Sequence, residues 1–246
     1  MRHLSLKPLF ALSLLALAGC GVDYELAPPP ASSTAVQPAA RKASAMAPGQ
    51  ARQAFAAVTR NVEPVAERSC REMTSGVNCD FLIQIHPDAK APPNAYQSLD
   101  RSGRPVITFT QAMLGQIANR DELAFVMSHE AAHHIRGHLA RQSQNAALGA
   151  VLLAGLATAA GGSAADVSVA QDIGAGVGAR SYSKNFELEA DQLGTVITHK
   201  AGYRPSVGVL FFQRLPDPGD QFLGTHPANP DRVRVVQQTI DRYGLN

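Results

Sequence analysis

His129-Glu130-Ala131-Ala132-His133 decides how the rest of this chain is read. Two histidines four apart on a helix differ by about 400° of rotation, which leaves them about 40° from alignment and on one face. Their imidazoles can therefore address one metal ion. Glu130 is displaced by about 100° from His129, beside such an ion but badly placed to ligate it. A carboxylate there can take a proton from water that zinc has made acidic, then return it to a leaving amine. A surface helix with stray histidines fits poorly, because Leu123, Phe125, Val126 and Met127 come just before. That run predicts a helix through the core, starting near Asn119 as its cap with Glu122 reaching back in a capping box.

A catalytic zinc takes three protein ligands and leaves one position open. His138 lies nine residues past His129, about 180° round an unbroken helix, and cannot join the same ion. His134 points aside, so both are expected to be structural or exposed. The metzincin pattern needs glycine at 136 and histidine at 139; Arg136 and Leu139 stand there and exclude that class. A carboxylate from another helix is what remains. Phe186-Glu187-Leu188-Glu189-Ala190-Asp191 offers Glu187 and Asp191 on one face, with Glu189 pointing away. One of the pair could bind zinc while the other accepts a hydrogen bond from a ligand histidine. Spacing alone does not assign them.

Outward from this centre, the chain has 246 residues and 45% hydrophobic content, enough for one substantial core. Arg2 and Lys7, the apolar run Leu9 to Ala18, and Leu17-Ala18-Gly19 before Cys20 predict a signal peptide over 1–19. Residues 20–50 are rich in Pro, Ala, Ser and Gln and read as a flexible tether. The 22 Lys+Arg include the two leader residues, so the remainder balances the 20 Asp+Glu. Such a balance leaves no electrostatic footprint for nucleic acid. Cys70 and Cys79 could close a small loop by disulfide in an oxidising compartment.

The folded domain is expected over 51–246. Ala54, Phe55, Val58, Val62 and Val65 recur at helical spacing, with Pro64 able to kink or end that helix. Phe81–Ile85 and Pro105–Phe109 read as strands, separated by a Pro/Asn/Gly-rich stretch, and a helix follows from about Gln111. Ala146 to Ala160 is apolar but short of a bilayer span, which predicts a buried or hairpin helix and leaves open a shallow membrane contact. The chain stays Gly/Ala-rich to Ala179, and a helix runs from about Glu187 to Lys200. The last helix has Asn229 as cap, Pro230 at its first position, and Val233, Val236 and Ile240 on one face.

HEAAH, then Glu187 with Ala190-Asp191, then Thr225-His226-Pro227 with Arg232, occur in an order that resembles the HtpX/BepA-like metallopeptidases. These are gluzincins related to the CAAX prenyl endopeptidases. Pro93-Asn94-Ala95-Tyr96, Val106-Ile107-Thr108-Phe109, Asp121 to Val126 and Arg136 to Arg141 match as well, so the resemblance runs from about residue 52 to the end. It implies an α+β, mainly helical, zincin-like fold with a small antiparallel sheet and an HExxH active-site helix. It also implies one zinc per chain on His129, His133 and Glu187, with Glu130 as general base. Asp191 and Arg232 would support the ligands. His226 would stabilise the transition state or occupy the open zinc position when the enzyme is idle. Val106 to Thr110 matches the edge strand on which such enzymes lay an extended substrate.

The leader's end resembles a bacterial lipobox, which implies lipidation of Cys20. Gly21, where an aspartate would retain the protein at the inner membrane, points to the outer membrane facing the periplasm. Neither the multi-pass helices of HtpX and the prenyl proteases nor a repeat domain after the peptidase domain is expected from this sequence. The expectation is therefore an endopeptidase acting on unfolded or misassembled envelope proteins, with the outer-membrane assembly machinery as a partner. A zinc-containing chaperone-like lipoprotein and a cell-wall amidase are the alternatives, and the intact Glu130 argues against the first.

Overall fold

The computed structural model describes residues 44–181, 183–215 and 229–245. The expected leader, Cys20, the tether up to residue 43, and His226 with Thr225 and Pro227 lie outside the described residues.

Helix α1 (Pro48–Met73) starts with Pro48 in its first turn and buries Ala51, Ala54, Phe55, Val58, Val62, Val65 and Ala66 along one stripe. Pro64 neither ends nor splits it, because Pro64 sits on the solvent face, where water can satisfy the carbonyl that loses its partner. Strands β1 (Leu82–Ile85), β2 (Ala95–Leu99) and β3 (Pro105–Phe109) form one sheet of order β1-β3-β2. Short α2 (Gln111–Leu114) is capped by the Thr110 hydroxyl, which accepts from the Met113 N–H. Then come α3 (Arg120–Ile135), α4 (His138–Ala159), α5 (Ala164–Ser181), α6 (Ser183–Lys200), α7 (Pro205–Gly208), α8 (Leu210–Arg214) and α9 (Asn229–Tyr243).

Two expectations about the sheet are corrected. It is mixed rather than antiparallel, since β1 pairs with β3 in parallel and β2 pairs with β3 antiparallel. Moreover, Val106–Phe109 lies in the central strand and not at the edge. All five residues of β3 are buried, the pattern of a strand covered on both sides. The edge facing the HEAAH helix belongs to β2, whose short AYQSL sequence was hidden between Pro93 and the Asp100 turn.

α3 is the axis of the core. Leu123, Ala124, Phe125, Met127, Ala131 and Ala132 are completely buried, packed by α1, α6, α7 and β2. Its cap is Asn119, which accepts from the Glu122 N–H at 2.9 Å. The capping box differs from expectation by one residue: the Glu122 carboxylate accepts from Ala118 N–H, at 2.8 Å, rather than from the cap residue itself. Both guanidinium amines of Arg214 also bind this carboxylate, only 1% of which is exposed.

α4 and α5 form a helical hairpin whose glycines touch. A Cβ on Gly149 would lie 2.1 Å from the Gly174 carbonyl oxygen, and one on Gly178 would lie 2.0 Å from that of Asn145. The Gly/Ala-rich stretch is thus a close-packed second arm, which helical periodicity did not reveal. Among the described residues no helix is long and apolar enough to cross a membrane. Cys70 and Cys79 are joined by a disulfide that links the end of α1 to the approach to β1. His134 Nε2 donates to the Asn78 carbonyl of this loop, at 2.7 Å, and the ring meets Phe81 edge-on.

Candidate metal centre

Three helices bring the chemistry together. α3 supplies His129, Glu130 and His133; α6 supplies Glu187 and Asp191; α9 supplies Arg232. The approach of α6 to α3 is set by Gly194, where any Cβ would stand 3.1 Å from both the Cα and the N of His129. Asp191 and Glu187, about one and two turns earlier on α6, are thereby brought under the histidine pair.

His129 Nε2 lies 3.0 Å from His133 Nε2. Glu187 places one carboxylate oxygen 3.4 Å from His129 Nε2 and the other 3.4 Å from His133 Nε2. Ligand atoms at about 2.0–2.2 Å in a tetrahedral shell stand about 3.3 Å apart. The triad therefore fits a zinc-sized ion, and the donor set of two imidazoles and a carboxylate suits one. Glu189 does not share in this group, and of the α6 carboxylates it is Glu187 that lies beside both histidine Nε2 atoms.

Behind His129, the Nδ1 atom lies 2.9 Å from Asp191 Oδ1. Asp191 is wholly buried and receives two 2.7 Å hydrogen bonds from Arg232. Arg232 is itself buried, with its guanidinium 3.5 Å above the Phe212 ring. Burial alone would raise the Asp191 pKa; the Arg232 charge and hydrogen bonds outweigh it and hold the carboxyl below its usual range. Burial and Arg232 likewise oppose a charged His129 in the metal-free site. The hydrogen bonds to Asp191 and Glu187 prevail and lift its pKa to about 9. His133 goes the other way, pushed down to about 3 by burial and by the His129 charge.

Glu130 faces an open cleft of about 520 Å³, floored by the metal triad and walled by β2 on one side. Burial pushes its carboxyl up to about 7, against the pull of the His129 charge and of the Gln97 backbone N–H. That amide is available for a structural reason. Asp100 N–H bonds to Arg104 and Thr110 N–H bonds to Asn94 across the hairpin. Alternation along an antiparallel pair then turns Tyr96 and Ser98 toward β3 and leaves the main-chain groups of Ala95 and Gln97 on the open edge.

His138 and Glu189, set apart from the metal by sequence spacing, reach the centre through His133. His138 is buried, its Nδ1 lying 2.9 Å from His133 Nδ1. Its Nε2 lies 3.2 Å from Glu189, which Arg141 grips with two further hydrogen bonds. A rotation of about 180° from His129 to His138 holds only along one continuous helix. Gly137, at φ 66°, breaks it and folds His138 back. That glycine was the available signal.

A model of peptidase family M48 matches residues 51–240. The chain is similar to the beta-barrel assembly-enhancing protease of Escherichia coli, 33% identical over 153 residues, which are 51% of this chain and 31% of that protein. A putative beta-barrel assembly-enhancing protease of Vibrio cholerae is 33% identical over 142 residues, 51% of this chain and 28% of its own. The mitochondrial metalloendopeptidase OMA1 of Saccharomyces cerevisiae is 29% identical over 170 residues, 65% of this chain and 47% of its own. The matched stretch thus covers under half the length of each of these relatives.

Proposed function

The chain belongs to peptidase family M48, and on that premise we propose that it is a zinc-dependent endopeptidase acting on unfolded or misassembled proteins of the bacterial envelope. The observation that carries this reading is the convergence of His129, His133 and Glu187 beside Glu130, at the foot of a cleft walled by the edge strand β2.

When bound, zinc supplies Lewis acidity, making water acidic near neutral pH and polarising a carbonyl oxygen. The chain's own groups do the rest. Glu130 accepts the proton of the attacking water and delivers it to the departing amine. Asp191 accepts from His129 Nδ1, so that Nε2 is left free for the metal, and Arg232 keeps Asp191 charged and in place. The outward main-chain groups of Ala95 and the Gln97 carbonyl can pair with an extended segment, which favours unfolded chains over a particular sequence.

The site of action is part of the proposal. Leu17-Ala18-Gly19-Cys20 supports lipidation at Cys20, a tether, and a place at the outer membrane facing the periplasm. Two of the relatives are named for enhancing beta-barrel assembly, which supports envelope quality control. His226 as an occupant of the open zinc position, and the outer-membrane assembly machinery as a partner, belong to the same reading.

The test is hydrolysis of casein by the purified mature protein. Wild type should cleave it, while Glu130→Gln and a chelated sample should not. If the wild type binds zinc stoichiometrically and cleaves nothing, the chaperone-like reading takes its place.

A further inference from the structure

We propose that His138 and Glu189 form a positioning pair for the second histidine ligand, fixing the tautomer and ring angle of His133 as Asp191 and Arg232 do for His129. This rests on the reading of His129, His133 and Glu187 as a zinc site.

The direction of every hydrogen bond in the chain follows from one requirement. His133 turns Nε2 toward His129 and Glu187, so its ring proton must sit on Nδ1 when Nε2 is a ligand. The acceptor for that proton is His138 Nδ1, 2.9 Å away. His138 must then carry its own proton on Nε2, which donates to Glu189 at 3.2 Å. Glu189 is charged and accepts from both terminal nitrogens of Arg141, at 2.6 and 3.2 Å. The sequence His133, His138, Glu189, Arg141 thus parallels His129, Asp191, Arg232, lengthened by one imidazole. Each ligand histidine ends on a carboxylate held by an arginine.

Packing makes the link rigid. His138 is only 4% exposed and stacks on Phe186, with ring centroids 4.6 Å apart and planes 11° apart. The Arg141 guanidinium lies 4.3 Å from the same ring. Phe186 directly precedes Glu187, so one turn of α6 carries the third ligand and seats the support of the second. A bond that served only to tie α4 to α6 would not need His138 to present an unprotonated nitrogen to His133.

The experiment measures zinc affinity by competition with a chelator, and the visible spectrum of the cobalt-substituted protein, for four proteins beside wild type. His138→Phe keeps the stacked ring and loses both hydrogen bonds. His138→Asn keeps an acceptor near the Nδ1 position. Glu189→Gln removes the charge, and the fourth combines His138→Phe with Glu189→Gln. Affinity should fall by about 10–100-fold in His138→Phe, with a shifted cobalt spectrum, and recover most of that loss in His138→Asn. Glu189→Gln should weaken binding less, and add nothing in the His138→Phe background. Unchanged affinity and spectrum in His138→Phe, or a Glu189 effect that persists without His138, would overturn the proposal. Should His138→Phe not fold, Glu189→Gln decides alone: weaker zinc binding supports the pair and unchanged binding sinks it. A wild type that takes up no zinc sinks the metal reading and the pair together.

Discussion

Gly194 lies so close to the backbone of His129 that a Cβ would meet His129 Cα and N at 3.1 Å, and the two helices would have to part by a few tenths of an ångström to take it. Replacing it by alanine gains about 1 kcal/mol of helix propensity, offset by overpacking of about 1–3 kcal/mol. Valine gains less helix propensity than alanine and brings more bulk. Gly194→Val should therefore lower stability in a urea titration by about 1–3 kcal/mol. It should also weaken zinc binding, since α6 carries Glu187 and Asp191. Unchanged zinc affinity with a well-folded protein would show that the two helices meet differently.

Zinc uptake should release a proton from His129. Burial and Arg232 work against the imidazolium in the metal-free site, yet Asp191 and Glu187 hold its pKa at about 9. Below that pH the ring carries a proton that a metal must displace, so apparent affinity rises with pH up to about 9. Calorimetry at pH 7.5 in buffers of different ionisation enthalpy should count about one proton released. Zero would mean that His129 is already neutral.

Glu130 acts as a base only when ionised. Burial, its largest influence, raises the carboxyl from 4.5 to about 7 without metal, and a bound cation would draw it down again. The acid limb of kcat/KM should consequently lie between 4.5 and about 7, with activity rising as pH increases through it. Glu130→Gln should cost about 10²–10⁴-fold in rate and keep the metal. A limb above about 7 in the wild type would place the base elsewhere.

Arg214 is the sole guanidinium on the buried Glu122 carboxylate among the described residues. Arg214→Met would leave that charge with the Ala118 N–H alone, costing about 3–5 kcal/mol in a denaturant titration. Adding Glu122→Met should recover much of the loss, because an apolar pair of similar volume is tolerated. Failure of the double variant to recover would assign the loss to packing of Arg214 instead.

The HEAAH helix was legible because its apolar run and its Asn119 cap agree with each other and with the two-histidine spacing. α9 was legible for the same reason: Val236 and Ile240 are core, and Arg232 shares their buried face. β2 was not. Its polar AYQSL run gains stability from pairing with the buried β3, a contact absent from any local pattern. That also moved the edge from Val106–Phe109 to Ala95–Leu99. α5 went unseen because its glycines, poor helix formers, are there for backbone contact with α4. His138 was set aside by rotation arithmetic that Gly137 invalidates. For β2 and α5 a distant partner overrode local preference, whereas for His138 the deciding residue was its neighbour Gly137.

The central claim is that one zinc sits on His129, His133 and Glu187. X-ray absorption at the zinc edge tests it directly, on wild type, Glu187→Ala and Glu189→Ala. The prediction is one zinc with two imidazole nitrogens and a carboxylate oxygen at about 2.0–2.2 Å. That signature should persist in Glu189→Ala and be lost in Glu187→Ala. Zinc retained with the same shell in Glu187→Ala, or lost only in Glu189→Ala, would contradict the account.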